Sequence, residues 1–246
     1  MDPATLIKKL VVITGASSGF GVELAKLFSA AGHPLLLVAR RLELMQALNL
    51  PNTICTKVDV TDYKAFEDAV RDAEAVYGPT DLLIGNAGVM KLEKVWDQDP
   101  KEWQEMLNVN VLGVMNGMKI VLKDMMARNS GTIINISSVA GRKAFGNHAA
   151  YCGTKFGVHA ISETVREEVC ATNVRVSVVA PGAAETELLG HTSNDSIIEG
   201  YKAWKQTMGG KSMDAVHVAT SCKFIYDLPQ EVNLRELVIA PTKQNG

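Results

Sequence analysis

A doubly wound α/β fold, a sheet of seven parallel strands with helices on both faces, is the fold class this sequence predicts. Three observations predict it. Seven short apolar runs, rich in β-branched residues, recur along the 246 residues. Most are continuous rather than alternating, the mark of strands buried on both faces. Longer stretches of helical periodicity separate them, and right-handed crossovers then bring every strand's carboxyl end to one edge. Ligands in such sheets bind beyond that edge. No linker, repeat or low-complexity stretch interrupts the rhythm, so residues 1–246 read as a single domain.

The first run, "KLVVITG", leads into Gly15, Gly19 and Gly21, spaced G-x-x-x-G-x-G, and a helix over 19–31. Glycine permits a tight turn and close backbone approach. A helix start offers free N–H groups and the positive end of its dipole, so an anion such as a pyrophosphate belongs there. Placement after a strand, in the first βαβ unit, is what gives the glycines weight. The second run, "PLLLVA", ends at Ala39, before Arg40, Arg41 and a helix over 41–48. An NAD site would usually carry an acid here for the ribose hydroxyls. Guanidiniums instead fork onto a 2′-phosphate, with Ser17 and Ser18 as added hydroxyl donors. NADP(H) is the expected cofactor; an NAD(H) preference is the rival if the arginines face solvent.

The third run, "TICTKVDV", ends in Asp59-Val60 before a helix over 61–77. Asp59 either accepts from an adenine amino group or neighbours a helix N-cap, a role Thr61 also suits. The fourth, "TDLLIGNAG", brings Asn86, Ala87 and Gly88 to the same edge, with backbone near the adenosine ribose. A long helix over 99–127 follows, with Asn110 on or beside an apolar stripe that includes Trp103, Leu107 and Met118. A buried amide must be bonded; Asn110 either satisfies the backbone of a distorted helix or holds a water.

The fifth run, "GTIINISS", ends in Ser137 and Ser138. The helix over 148–172 opens with "AYCGTKFG", placing Tyr151 and Lys155 one turn apart on one face. By itself this lysine reads as a snorkelling side chain whose stem covers the core. The sixth run, "VRVSVVAPG", ends at Pro181-Gly182; a helix over 212–227 and the strand "ELVIAP" complete the chain. Residues 183–211 carry little sheet signal and several turn formers, a length that suits a lid hinged at Gly209-Gly210. The plainer alternative is a surface excursion with a short helix around Ile197–Gln206.

The composition is that of an ordinary globular protein, 47% hydrophobic and 21% charged, and a net charge of −2 gives no support for a nucleic-acid partner. No apolar run reaches the ~18–20 residues of a membrane span. The opening "MDPATLIKKLVVITG" lacks the basic and long apolar regions of a leader. Cys55, Cys152, Cys170 and Cys222 show no Cys-x-x-Cys spacing and no accompanying His cluster, which argues against zinc or a disulfide framework and for free thiols. A cytoplasmic protein without a metal is the expectation.

Several motifs in order carry a resemblance along nearly the whole chain. With "TGASSGFG", "NAG", the asparagine of "NVNVLG", the serine of "ISS", "YCGTK" and "PGAAET", the sequence resembles the short-chain dehydrogenase/reductase family. That resemblance implies a Rossmann-type oxidoreductase acting on a small or medium carbonyl or secondary alcohol. It implies catalytic roles for Asn110, Ser138, Tyr151 and Lys155. Tyr151 would exchange a proton with the substrate oxygen, its phenol made more acidic than its ordinary ~10 by the Lys155 ammonium and the oxidised nicotinamide. Lys155 would also bond the nicotinamide ribose, Ser138 would hold the substrate oxygen, and Asn110 would position a water linking Lys155 to solvent. Cofactor contacts would come from Gly15, Ser17, Ser18, Gly19, Phe20, Gly21, Arg40, Arg41, Asp59, Val60, Asn86, Ala87, Gly88, Tyr151, Lys155, Pro181, Gly182, Ala184 and Thr186.

The substrate would meet Ser138, Tyr151, Phe145, His148 and Glu185, with Met90, Ala140, Leu188 and Trp204 nearby. His148 alternatively caps the helix start or faces solvent. Arg142 and Lys143 either recognise a carboxylate or are solvated loop charges. Two departures stand out: Gly85 where the family often has asparagine, and Phe20 where isoleucine is common. The C-terminal "LPQEVNLRELVIAPTKQ" looks like the branch containing NADP-dependent 3-hydroxy acid dehydrogenases of the serine type. A homodimer or homotetramer is the implied assembly. A dinucleotide-binding sensor that kept the fold and lost the chemistry is the contrasting reading.

Overall fold

The computed structural model describes residues 8–245; residues 1–7, part of the segment read for a leader, and Gly246 lie outside the described residues. The strands are β1 (Leu10–Thr14), β2 (Leu35–Ala39), β3 (Thr53–Lys57), β4 (Thr80–Gly85), β5 (Gly131–Ile136), β6 (Val174–Pro181) and β7 (Glu236–Ile239). All pair in parallel, in the order β3-β2-β1-β4-β5-β6-β7. Helices α1 (Gly19–Ala30), α2 (Leu42–Gln46), α3 (Tyr63–Tyr77), α4 (Pro100–Leu107), α5 (Gly113–Ala127), α6 (Ala149–Glu168), α7 (Asp195–Thr207) and α8 (Ala215–Asp227) connect them.

The continuous apolar runs have a direct cause: both faces of the sheet are covered. On one face Leu10 and Val12 pack with Phe66 of α3, Val114 and Met118 of α5 and Val158 of α6. On the other, Val11 and Ile13 pack with Leu24 and Phe28 of α1 and Val218 and Ile225 of α8. Full burial of a side chain the size of Phe28 or Phe66 stabilises by roughly 1.5–3 kcal/mol. Strand order reverses direction at β1, where Ile13 aligns with Leu37 on one side and Ile84 on the other. The crevice beyond the carboxyl ends of β1 and β4 is therefore where a ligand of this fold class sits.

Four elements differ from the sequence expectation. The helix expected over 99–127 contains a π-helical turn, Asn108–Leu112, between α4 and α5. Helix α3 starts at Tyr63, and its N-cap is Asp62, whose carboxylate accepts from Ala65 N at 3.0 Å; Thr61 instead bonds Asp59. Helix α6 stops at Glu168 rather than running to 172. Within 183–211 lie a 3-10 turn, Glu187–His191, and α7, a full 13 residues capped by the Asn194 side chain. Gly209 and Gly210, the expected hinge, have φ of 92° and 78°, conformations that disfavour other residues. Among the described residues, no helix is long and apolar enough to cross a membrane.

Candidate active site

A cavity of ≈ 960 Å³ opens along the carboxyl edge of the sheet, from the turn after β1 to the underside of α7. At its β1 end the chain turns through Gly15, with φ of 64°, where a β-carbon would come within 2.7 Å of Ala87 Cα. At Gly21 a β-carbon would lie 2.2 Å from the Gly15 carbonyl. The glycines thus let the turn close onto the segment after β4 and onto the first turn of α1. Ser18 is the N-cap of α1, yet its hydroxyl makes no capping bond, leaving it and the helix N-terminus to the cavity. Thr186 packs over Gly19 from the opposite wall.

Asn86 is a clip. Its amide donates to the Thr14 carbonyl at 2.9 Å and the Gly15 carbonyl at 3.2 Å, and its N–H donates to Thr14 Oγ1 at 3.0 Å. Ala87 N donates to the same Thr14 hydroxyl at 3.0 Å. The ends of β1 and β4 are locked together at the crevice, and the Asn86 amide nitrogen is engaged in that lock.

Beyond β2, Arg41 Nε and Nη2 donate to Ser17 Oγ, each at 3.3 Å, and Nη2 donates to Glu187 at 2.9 Å. Arg40 lies 3.9 Å from Glu105 and is largely exposed. Both line the cavity. The Asp59 carboxylate accepts from Thr61 N at 3.0 Å and Thr61 Oγ1 at 2.8 Å, with Asp59 itself on the cavity wall. The Val60 carbonyl accepts from Asn116 at 2.9 Å. A glycine turn at a helix N-terminus, with hydroxyls and two guanidiniums at the neighbouring strand end, is a donor set that fits a dinucleotide carrying an extra phosphate.

At the other end, Tyr151 and Lys155 of α6 both face the cavity and both are buried. The Lys155 ammonium stands 5.8 Å from the Tyr151 ring centre and donates to the Ile136 carbonyl at 2.9 Å. Burial lowers the lysine pKa to about 8. At the Tyr151 phenol the protein's own groups act in both directions. Burial pushes it well above its ordinary value; a hydrogen bond with the Ser138 side chain works the other way, and the nearby Tyr201 phenol adds to the rise. In the protein alone, burial outweighs the Ser138 contact and favours the protonated phenol.

Ser138 meets this phenol, and its hydroxyl also donates to the Pro181 carbonyl at 3.4 Å and accepts from Ala140 N at 3.1 Å. Ser137 bonds the Lys155 carbonyl at 3.2 Å, a structural task. Asn110, in the π turn, accepts from Val89 N at 2.8 Å and donates to the Val89 carbonyl at 2.9 Å and Thr154 Oγ1 at 3.1 Å. Of the two alternatives for this amide, backbone satisfaction is what the bonds display, though the backbone belongs to the segment after β4 rather than to its own helix. That ties Gly88–Val89 to α6 beside Lys155.

Phe145 and His148 flank Tyr151; the His148 ring lies 6.3 Å from the Tyr151 ring, edge-on, and its Nδ1 pairs with the Gly146 carbonyl at 2.5 Å. His148 is the N-cap residue of α6, but its side chain caps nothing. Glu185 lines the cavity with its carboxylate already engaged: Lys205 donates to both oxygens at 2.8 Å, and Ser212 donates from Oγ at 2.6 Å. Those partners lower its pKa to about 2. Arg142 pairs with Glu236 at 2.6 Å, and Lys143 stacks over Phe145; neither lines the cavity.

Tyr201 and Gln244 are among the lining residues not singled out from sequence. Tyr201 projects from α7 toward Tyr151, and helical spacing from Ile197 and Trp204 is the signal that points to it. Gln244 reaches back from beyond β7: its Oε1 accepts from Ala183 N at 2.8 Å, and its buried Nε2 has no partner. Position 244 carries no periodic signal that would place it there.

Known proteins share this arrangement. A family model described as short chain dehydrogenase matches residues 9–196. An uncharacterized oxidoreductase of Staphylococcus saprophyticus is 36% identical, across 96% of this chain and 97% of that protein. Another from Listeria monocytogenes is 34% identical, across 98% and 99%. A serine dehydrogenase solved in a closed form with NADP+ superposes with a TM-score of 0.89 at 28% identity, covering 96% of both chains. The family match and the similarity along nearly the whole chain show that the chain belongs to the short-chain dehydrogenases, as an oxidoreductase of that family.

Proposed function

We propose that this protein is an NADP(H)-dependent carbonyl reductase, reversibly an alcohol dehydrogenase, with Tyr151 as the proton-transfer residue. One observation carries the reading: a buried Tyr151, beside Ser138 and one helical turn from Lys155, faces a cleft that runs to Arg41 and the glycine turn.

The bound cofactor supplies the hydride. The Ser138 hydroxyl holds the substrate carbonyl oxygen, and Tyr151 gives that oxygen its proton as the carbonyl carbon is reduced. In the reverse direction Tyr151 takes the hydroxyl proton. Lys155 orients the nicotinamide ribose and supports the phenolate left behind. Asn110 positions rather than reacts, fixing Gly88–Val89 against α6. Arg40, Arg41, Ser17 and Ser18 receive the adenosine 2′-phosphate, which sets NADP(H) over NAD(H).

The four free cysteines suit a reducing compartment and a cytoplasmic location. Exposed Leu107, Leu112, Met115 and Phe156 on α4 to α6 support a homodimer or homotetramer. The experiment is NADPH consumption with a panel of ketones and aldehydes. Turnover that is lost in Tyr151→Phe supports the reading; no turnover with any of them leaves the sensor alternative.

A further inference from the structure

The inner cleft offers a carboxylate nothing to bind. Seven basic residues line the cavity among the described residues, and each is committed or remote from Tyr151 in role. Arg40 and Arg41 stand at the end of β2, the latter against Ser17 and Glu187. Lys205 is held between the two oxygens of Glu185. Lys155 donates to Ile136. Burial keeps His148 and His191 below the ordinary imidazole pKa and disfavours their charged forms. Lys94 is exposed, over the Trp96 ring, next to Glu93. Arg142 and Lys143, the cations nearest in sequence to the Tyr151 helix, lie outside the cavity lining.

What does surround Tyr151 is apolar. Met90, Ala140, Phe145, Leu188, Ile197 and Tyr201 form one cluster with it, a hydrophobic core open to the cleft on one side. On the outer walls Glu185 and Lys205 cancel as a pair, and Glu93, its carboxylate bonded by Asn194, adds negative charge. A carboxylate entering here would leave water without gaining a cation, whereas an apolar group would leave water for a matching wall.

We propose that the substrate is an uncharged ketone or aldehyde bearing an apolar group of ring size, and that the cleft discriminates against 3-oxo and 3-hydroxy carboxylates. The proposal rests on the reductase reading above. It separates this chain from the acid-specific branch that its C-terminal segment resembles.

The test compares ethyl 3-oxobutanoate with 3-oxobutanoate at pH 7, and the methyl ketones from butan-2-one to octan-2-one, by NADPH consumption. The ester should exceed the acid in kcat/KM by about 100-fold or more. Each added methylene should raise kcat/KM about fourfold until the pocket is full. Equal or better turnover of the acid, or a flat series, overturns the proposal. Leu188→Arg, which sets a cation beside Tyr151, should raise acid turnover relative to ester turnover.

If no carbonyl is reduced at all, the reductase reading fails, and calorimetric titration with octan-2-ol and with 3-hydroxybutanoate decides the binding chemistry separately. Tighter binding of the apolar alcohol sustains the proposal; tighter binding of the acid overturns it.

Discussion

Arg41 of the β2 edge donates to Glu187 of the segment over the cleft at 2.9 Å, across 146 residues of sequence. Glu187 places a carboxylate where an added cofactor phosphate would otherwise have the guanidinium to itself. The pair is largely exposed, so it stabilises by less than about 1 kcal/mol. Glu187→Gln should therefore tighten NADPH binding by up to about fivefold and leave NADH unchanged. Arg41→Ala should weaken NADPH about 10- to 100-fold, the scale of a charge-assisted bond, again sparing NADH. Fluorescence titration with both cofactors reads the result; equal losses for the two would refute the phosphate assignment.

Tyr151→Phe keeps the ring and removes the only proton the phenol can give. General acid catalysis contributes about 10²- to 10⁴-fold, and kcat should fall by that much. NADPH affinity should stay within about twofold. A variant that retains full kcat would show that the proton comes from elsewhere.

Lys155 makes stability depend on alkaline pH. Its pKa is about 8 in the folded protein against 10.5 unfolded. Between those values the unfolded chain binds the extra proton, so stability rises with pH across that window, and below about 8 the full penalty of a buried ammonium is present. Lys155→Met removes the titration. The stability of the variant relative to the natural protein should be greatest at pH 7 and decline toward pH 10, in urea unfolding at each pH. A difference independent of pH would mean that the ammonium is well solvated.

Asn110→Leu fills the same space but strands the Val89 N–H and carbonyl. Unpaired buried groups cost about 1–3 kcal/mol each. The two together cost about 2–6 kcal/mol, and the melting temperature should drop by about 4–24 °C, given ~2–4 °C per kcal/mol at this size. A drop under one degree would mean that the π turn relaxes to rescue both groups.

Most of the fold was legible because its signals are local and periodic. The runs ending at Thr14, Ala39 and Ile136 are apolar on both faces, and the glycines at 15, 19 and 21 mark the turn that starts α1. The π turn was not legible, since Asn108–Leu112 has ordinary helical character and the extra residue is accommodated only by packing. Tyr151, Lys155 and Ser138 could be placed by spacing along one helix and one strand end. Their electrostatics could not: desolvation is a property of everything packed around a group, and at Tyr151 it opposes ionisation. Glu185 was read as a substrate residue because its loop faces the cleft, whereas partners at Lys205 and Ser212 claim its carboxylate oxygens; at Asn86 the Thr14 partner claims the amide nitrogen, a contact separate from the backbone role read for it. Such partners lie far off in sequence and leave no pattern.

Gly85 and Asn135 are partners on one rung of β4 and β5, and a β-carbon on Gly85 would stand 2.6 Å from Asn135 Oδ1. A side chain at 85 is therefore admitted only if Asn135 gives way. Installing asparagine at 85 alone should lower soluble yield, while pairing it with Asn135→Ala should restore it. The order of change matters: Asn135 can shrink first, losing its bond to Ser162, and only then is position 85 open to anything but glycine.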